Sequence, residues 1–144
     1  MMTSVAEPQE KQLKIGEVAL SSGLPVKTIR YYEEIGLLVP TVERSDSGYR
    51  LFSPGVLDRL AFIKRAQSLG LHLNEIQQIL SVHDGGQLPC AQVRQYLEVK
   101  VAEVSRQIES LQTLQFELQG ILSGWQMEPE AVQNDTICPN LQSN

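Results

Sequence analysis

Residues 14–38, KIGEVALSSGLPVKTIRYYEEIGLL, hold two short helical patterns separated by a glycine and a proline. Ile15, Val18 and Ala19 share one face, Gly23 stops that pattern, and Pro25 opens a second helix where its missing N–H costs nothing. Gly36 ends the second helix. Two short helices around a tight glycine-containing turn predict a helix-turn-helix. Downstream, VPTVERSDSGYRLFS places the turn cluster Ser45-Asp46-Ser47-Gly48 between two segments of short strand character, which predicts a hairpin, or wing. Ser53-Pro54 then reads as an N-cap followed by proline at the first helical position, and Val56, Leu57, Leu60, Ile63 and Ala66 form the apolar face of the helix it opens, up to Gly70. A further short helix lies in LNEIQQILSV, and HDGGQLP breaks the chain.

From Pro89 to about Leu122 no helix breaker occurs before Gly120. Val93, Leu97, Val101, Val104, Ile108, Leu111, Leu114, Leu118 and Ile121 recur at spacings of three and four, the pattern of a coiled-coil seam. At about 1.5 Å per residue such a helix runs about 50 Å, more than one small domain covers. The chain has no second long helix, so the simplest partner is the same helix of a second copy: a homodimer.

The chain has 144 residues, 42% of them hydrophobic, enough for one average domain or a small domain with one long element. Its net charge of −5 is unevenly spread. Residues 11–72 carry nine basic and six acidic side chains, residues 73–144 three basic and nine acidic. A basic N-terminal half on an acidic remainder suits a DNA-binding domain attached to something else. No run of about 18 apolar residues is present for a membrane span, and the polar, acidic start lacks the apolar stretch of a signal peptide, so a cytoplasmic protein with no membrane partner is expected. No nucleophile–base pair, phosphate loop or zinc-hydrolase spacing points to an enzyme. The fold expected is mainly α, with a disordered leader (1–12), a winged helix-turn-helix domain (13–84), a dimerisation helix (88–122) and a C-terminal loop and tail (123–144).

KIGEVALSSGLPVKTIRYYEEIGLL, SGYRLFS and LDRLAFIKRAQSLGLHLNEIQQIL, followed by the long helix, together resemble the MerR family of bacterial transcription regulators over residues 13–122. The resemblance implies a winged helix-turn-helix joined to an antiparallel coiled coil. It implies a dimer on a pseudo-palindromic operator in double-stranded promoter DNA, and an effector that distorts the DNA so that RNA polymerase engages both promoter elements. In that setting Lys27, Thr28, Arg30 and Tyr31 lie near the reading end of the second helix, with Arg30 suited to guanine. The Tyr31 and Tyr32 hydroxyls can reach phosphate, and Tyr32 has a competing place in the core beside Ile29 and Ile35. Arg44, Tyr49 and Arg50 on the wing, with Lys64 and Arg65 on the next helix, would grip the backbone and make binding salt-dependent. His72 stands where the family has a Ser/Thr cap, with Glu75 three residues on; it reads as local structure or a phosphate contact.

The two cysteines are too few for a disulfide framework. Cys90, directly after Pro89, sits in the first turn of the long helix, where free N–H groups and the helix dipole favour a thiolate. Cys138 lies far past its end, and a nearly straight chain from Ser123 would be needed to bring it back to its own Cys90. In an antiparallel dimer it falls instead near Cys90 of the partner. This resembles the metal-sensing branch of the family, and ICPNLQ resembles the end of its metal loop. A cysteine where monovalent-copper and silver sensors have serine implies a soft divalent ion: mercury, cadmium, lead or zinc. The cysteine that such sensors commonly have at the start of the loop is missing from SGWQMEPE. Further ligands could come from His83, Met127, Glu128 or Asp135. The alternative chemistry for the same pair is a redox or electrophile switch.

Overall fold

A computed structural model describes residues 11–130 and 135–142. Its elements run β1 (Leu13–Lys14), α1 (Ile15–Ser22), α2 (Val26–Glu34), a 3-10 turn (Val39–Thr41), β2 (Val42–Arg44), β3 (Arg50–Phe52), α3 (Gly55–Ser68), α4 (Leu73–Asp84), α5 (Cys90–Ser123) and α6 (Pro139–Gln142). The chain divides into two units, Met1–Leu97 and Glu98–Asn144, with the division inside α5.

In the first unit α1 ends at Gly23, whose φ of 74° only glycine adopts without strain and whose N–H returns to Ala19 O at 3.0 Å. Gly36, at φ 85°, closes α2 in the same way. The chain next turns into an antiparallel sheet of order β1-β3-β2, in which Phe52 of the central strand faces Leu13 on one side and Val42 on the other. Phe52 is fully buried with Val18, Ile29, Val56, Ile63 and Ile76, so the sheet and α1 to α4 share one core. Burial of each such side chain contributes about 1.5–3 kcal/mol.

Both proline-flagged starts fall one residue later than the sequence suggests. Pro25 is the extended residue before α2, and α3 begins at Gly55 after a Pro54 that already has helical angles. No Ser53 side-chain cap forms; its carbonyl instead accepts the Val56 N–H at 3.0 Å. At α4 the Glu75 carboxylate accepts the His72 N–H at 2.9 Å, so the glutamate half of a capping box is in place without a serine. β1 is a strand that the sequence pattern does not reveal, and Gln12 beside it donates to Glu43. The rest of the leader expected over 1–12 lies outside the described residues.

Arg59, read from the sequence as one cation among many, is 7% exposed. Its Nε donates to Leu37 O, directly past α2, while Nη1 and Nη2 donate to the two Asp84 oxygens at 2.6 and 2.9 Å. One side chain thus ties the end of α2 to α3 and the end of α4. The first turns of α5 join this unit, with Val93 and Tyr96 against the core and the Tyr96 hydroxyl donating to Gln78.

In the second unit α5 continues as an open helix. Val101, Val104, Ile108, Leu111, Leu114 and Leu118 are each between 48% and 66% exposed, so this part of the apolar stripe stays about half exposed among the described residues. Among the described residues no helix is long and apolar enough to cross a membrane.

The hydrogen bond from Arg59 holds the Asp84 carboxyl below the usual carboxylate range, with burial opposing it. A depressed carboxylate pKa contributes stability that is present above the unfolded value, near 3.9, and is lost as pH falls through the folded value. Asp84→Ala should cost about 2 kcal/mol near neutral pH. That is less than the ~3–5 kcal/mol of a fully buried pair because the Asp84 side chain is 31% exposed. Urea unfolding at fixed protein concentration should show the gap between wild type and variant closing below about pH 4.

Candidate nucleic-acid interface and effector site

α2 turns 100° per residue, so neighbours face different surroundings. Ile29 and Tyr32, three apart, enter the core, whereas Lys27, Arg30 and Tyr31 are exposed and Thr28 is half-buried. The two adjacent tyrosines therefore differ: Tyr31 is 50% exposed and Tyr32 6%. The Tyr32 hydroxyl donates to Gln67 Oε1 at 2.7 Å. Burial pushes its pKa up, the Gln67 bond acting the other way, so it stays a protonated donor. Of its two candidate roles, phosphate contact and core residue, the structure places the side chain in the core, with its hydroxyl on Gln67 of α3.

Arg30 lies against the wing. It lines one groove with Lys14, Ile15, Arg44, Gly48, Tyr49 and Arg50, so four cations from β1, α2 and the hairpin converge. Three of them are positioned by a neighbour. The Lys14 Nζ stands 5.6 Å from the Tyr49 ring centroid, a cation–π distance, and Arg44 Nη1 donates to Gly48 O at 2.8 Å. Arg50 Nε lies 3.2 Å from Glu33 Oε2, close enough for an ion pair but not aligned as a hydrogen bond. Among the described residues that line it, four are cations and none is acidic, so the groove suits a polyanion backbone. Lys14 is the member that sequence reasoning missed. Its signal was its place two residues ahead of Gly16 at the start of α1, on a strand too short to recognise.

Lys64 and Arg65 are brought elsewhere. With Ser21, Ser22, Leu57, Ala61 and Ser68 they line a second groove between the end of α1 and α3, where Arg65 Nη1 reaches Ser68 Oγ at 3.5 Å.

The cysteines fall in different units. Cys90 is the first residue of the 34-residue α5 and is exposed; Cys138 directly precedes α6 and is half-buried; neither is in a disulfide. The donor chemistry fits a soft ion, since thiols are soft ligands. Among the described residues no group of three or more His, Cys, Asp or Glu side chains is gathered as a metal site. His83, Glu128 and Asp135 are exposed and Met127 is 85% exposed.

Residues 13–82 match the family described as MerR HTH family regulatory protein, and residues 57–121 match that described as MerR, DNA binding. The mercuric resistance operon regulatory protein of Bacillus cereus is 41% identical over 104 residues, spanning 72% of this chain and 78% of that protein. The chain belongs to the MerR family of transcription regulators. It is thus a DNA-binding regulator and not an enzyme. Among solved structures, PbrR691 of Ralstonia metallidurans CH34 in complex with lead(II) matches 82% of this chain and 91% of its own at 31% identity, with a TM-score of 0.71. MerR of Bacillus megaterium MB1 in complex with mercury(II) matches 90% and 96% at 33% identity, with a TM-score of 0.60. A MerR regulator whose relatives bind lead and mercury has metal-responsive kin, and the ions differ among them.

Tyr32→Phe should lower stability by about 1 kcal/mol and change operator affinity by less than about two-fold. Tyr31→Phe should weaken DNA binding without that loss of stability. Arg30→Ala should reduce discrimination between operator and mutated operator by about 1–3 kcal/mol, whereas Lys64→Ala should weaken all sequences alike and lower the salt slope by about one. Fluorescence anisotropy at several salt concentrations, beside thermal unfolding, separates these outcomes.

Proposed function

We propose that the chain acts in the cytoplasm as a homodimeric metal-responsive regulator. A soft divalent ion bound between Cys90 of one protomer and Cys138 of the partner would lead it to distort promoter DNA for RNA polymerase. In this reading residues 13–84 read DNA, with Lys27, Thr28, Arg30, Tyr31, Arg44, Tyr49, Arg50, Lys64 and Arg65 as contacts and Lys14 added to them. Residues 88–122 dimerise and residues 123–144 hold the ion. The observation that carries it is Cys90 opening a helix whose apolar stripe is about half exposed among the described residues. A second copy running antiparallel would cover that stripe and set the end of one α5, with its tail, beside the other's first turn. The likeness to a mercury-bound and a lead-bound regulator supports an ion as the effector.

Two thiolates complete a linear site such as mercury accepts. Lead, cadmium or zinc would add His83, Met127, Glu128, Asp135 or water. When bound, the ion supplies a bridge between protomers; Cys90 supplies a thiolate held by a rigid helix, and Cys138 one carried by the tail. The same two-thiol set suits a redox switch, in which a peroxide takes two electrons and two protons from the pair to leave a disulfide and water.

Titration of the reduced dimer with mercury, cadmium, lead, zinc and copper(I) against a competing small thiol tests the proposal. One ion should bind tightly, and Cys90→Ser or Cys138→Ser should weaken it by at least about 100-fold. Should no ion outcompete the thiol, the metal reading fails. Non-reducing electrophoresis after peroxide treatment would then test the disulfide.

A further inference from the structure

The tail after α5 is tied to itself by side chains that read backbone groups. Asn140 takes both polar groups of Gln126: its Oδ1 accepts the Gln126 N–H and its Nδ2 donates to Gln126 O, each at 2.9 Å. A carboxamide is the side chain that matches a peptide group in this two-point way, since it offers one donor and one acceptor side by side. The Gln142 Oε1 accepts the N–H groups of Ile137 and Cys138 at 2.8 and 2.7 Å. Cys138 O in turn accepts the N–H groups of Leu141 and Gln142, each at 3.1 Å. Both backbone groups of Cys138 are therefore bonded. Trp125, the chain's single tryptophan, sits directly before Gln126 and is 39% exposed, with its own N–H on Leu122 O at 3.2 Å.

We propose that Asn140 is a positioning residue: its two-point clasp on Gln126 folds the tail against the end of α5 before any ion arrives and so fixes where Cys138 presents its thiol. The ligand role of Cys138 rests on the function proposed above; the clasp does not. Its consequence is preorganisation. A thiol on a free tail must be ordered when it binds, whereas a clasped one has already lost that freedom, so less affinity is spent on ordering. Asparagine is specifically required. Aspartate has nearly the same shape and suits the first turn of α6, but it has no donor for Gln126 O and sets a negative oxygen against it.

The test uses full-length, metal-free dimer in a Cys90→Ser background, comparing Asn140, Asn140→Ala and Asn140→Asp. Acrylamide quenching of Trp125 and the rate of Cys138 alkylation by iodoacetamide are the readouts. Both variants should raise each rate several-fold, and Asn140→Asp should be no better than Asn140→Ala, an outcome that a purely steric role would not give. In the chain with Cys90 intact, Asn140→Asp should weaken mercury(II) binding about ten-fold, from the loss of one hydrogen bond at net strength and the repulsion between the carboxylate and Gln126 O. Unchanged quenching and alkylation in both variants would overturn the clasp. Altered quenching and alkylation together with no mercury(II) binding by wild type would uphold the clasp and remove the metal reading.

Discussion

A guanidinium keeps its charge in the interior, so once Arg59 is buried its donors must all find acceptors. That requirement organises the first unit. Apolar burial around Phe52 draws the helices together but is non-directional and leaves their relative angles loose. The Arg59 fork is directional. By taking Leu37 O and both Asp84 oxygens, it sets where the end of α2 lies against α3 and α4. Gln77 adds a second tie from α4, donating to Ile35 O at 3.2 Å. A helix that reads base edges works only if its position is held to a fraction of a hydrogen-bond length. In this fold that precision comes from side chains of α3 and α4 that bond the backbone just past α2.

The same division of labour explains how a chain of net charge −5 belongs to a DNA-binding family. Charges farther than about 8 Å from a phosphate are largely screened at physiological salt, so the local set decides. Lys14, Arg30, Arg44 and Arg50 come from four elements and meet at one groove, while Glu33 is drawn onto Arg50 instead of facing outward alone. Net charge is a property of composition; the groove is a property of topology.

What could be read in advance follows from how local each feature is. Gly23, Gly36, Gly48 and Gly70 all have positive φ, and each lies at a break the sequence marks, because a left-handed turn needs only its own residue. The stripe on α5 was legible for the same reason: its period lies within one helix. Features that depend on a distant partner were not. Tyr31 and Tyr32 are chemically alike, and Gln67, 35 residues away, separates them by bonding Tyr32. Arg59 looks like any surface cation until Asp84, 25 residues on, folds against it. β1 has two residues, too few for a period, and exists because β3 has a free edge. The Asn140 clasp likewise spans 14 residues with no periodic sign.

α5 connects these two kinds of order. Its first turns are part of the N-terminal core through Val93 and Tyr96, and the Tyr96 hydroxyl holds Gln78 of α4. Any force that rotates the start of α5 is therefore delivered to α4, whose last residue, Asp84, grips Arg59 and through it Leu37. In the proposed dimer an ion shared by Cys90 and a partner's Cys138 would pull at that first turn. An ion binding across two protomers also strengthens their association by the same factor that association strengthens its binding. Placing one thiol on a rigid helix and the other on a clasped tail makes that factor large. Neither ligand then needs much ordering when the ion arrives, so most of the bond strength is left to move the helix.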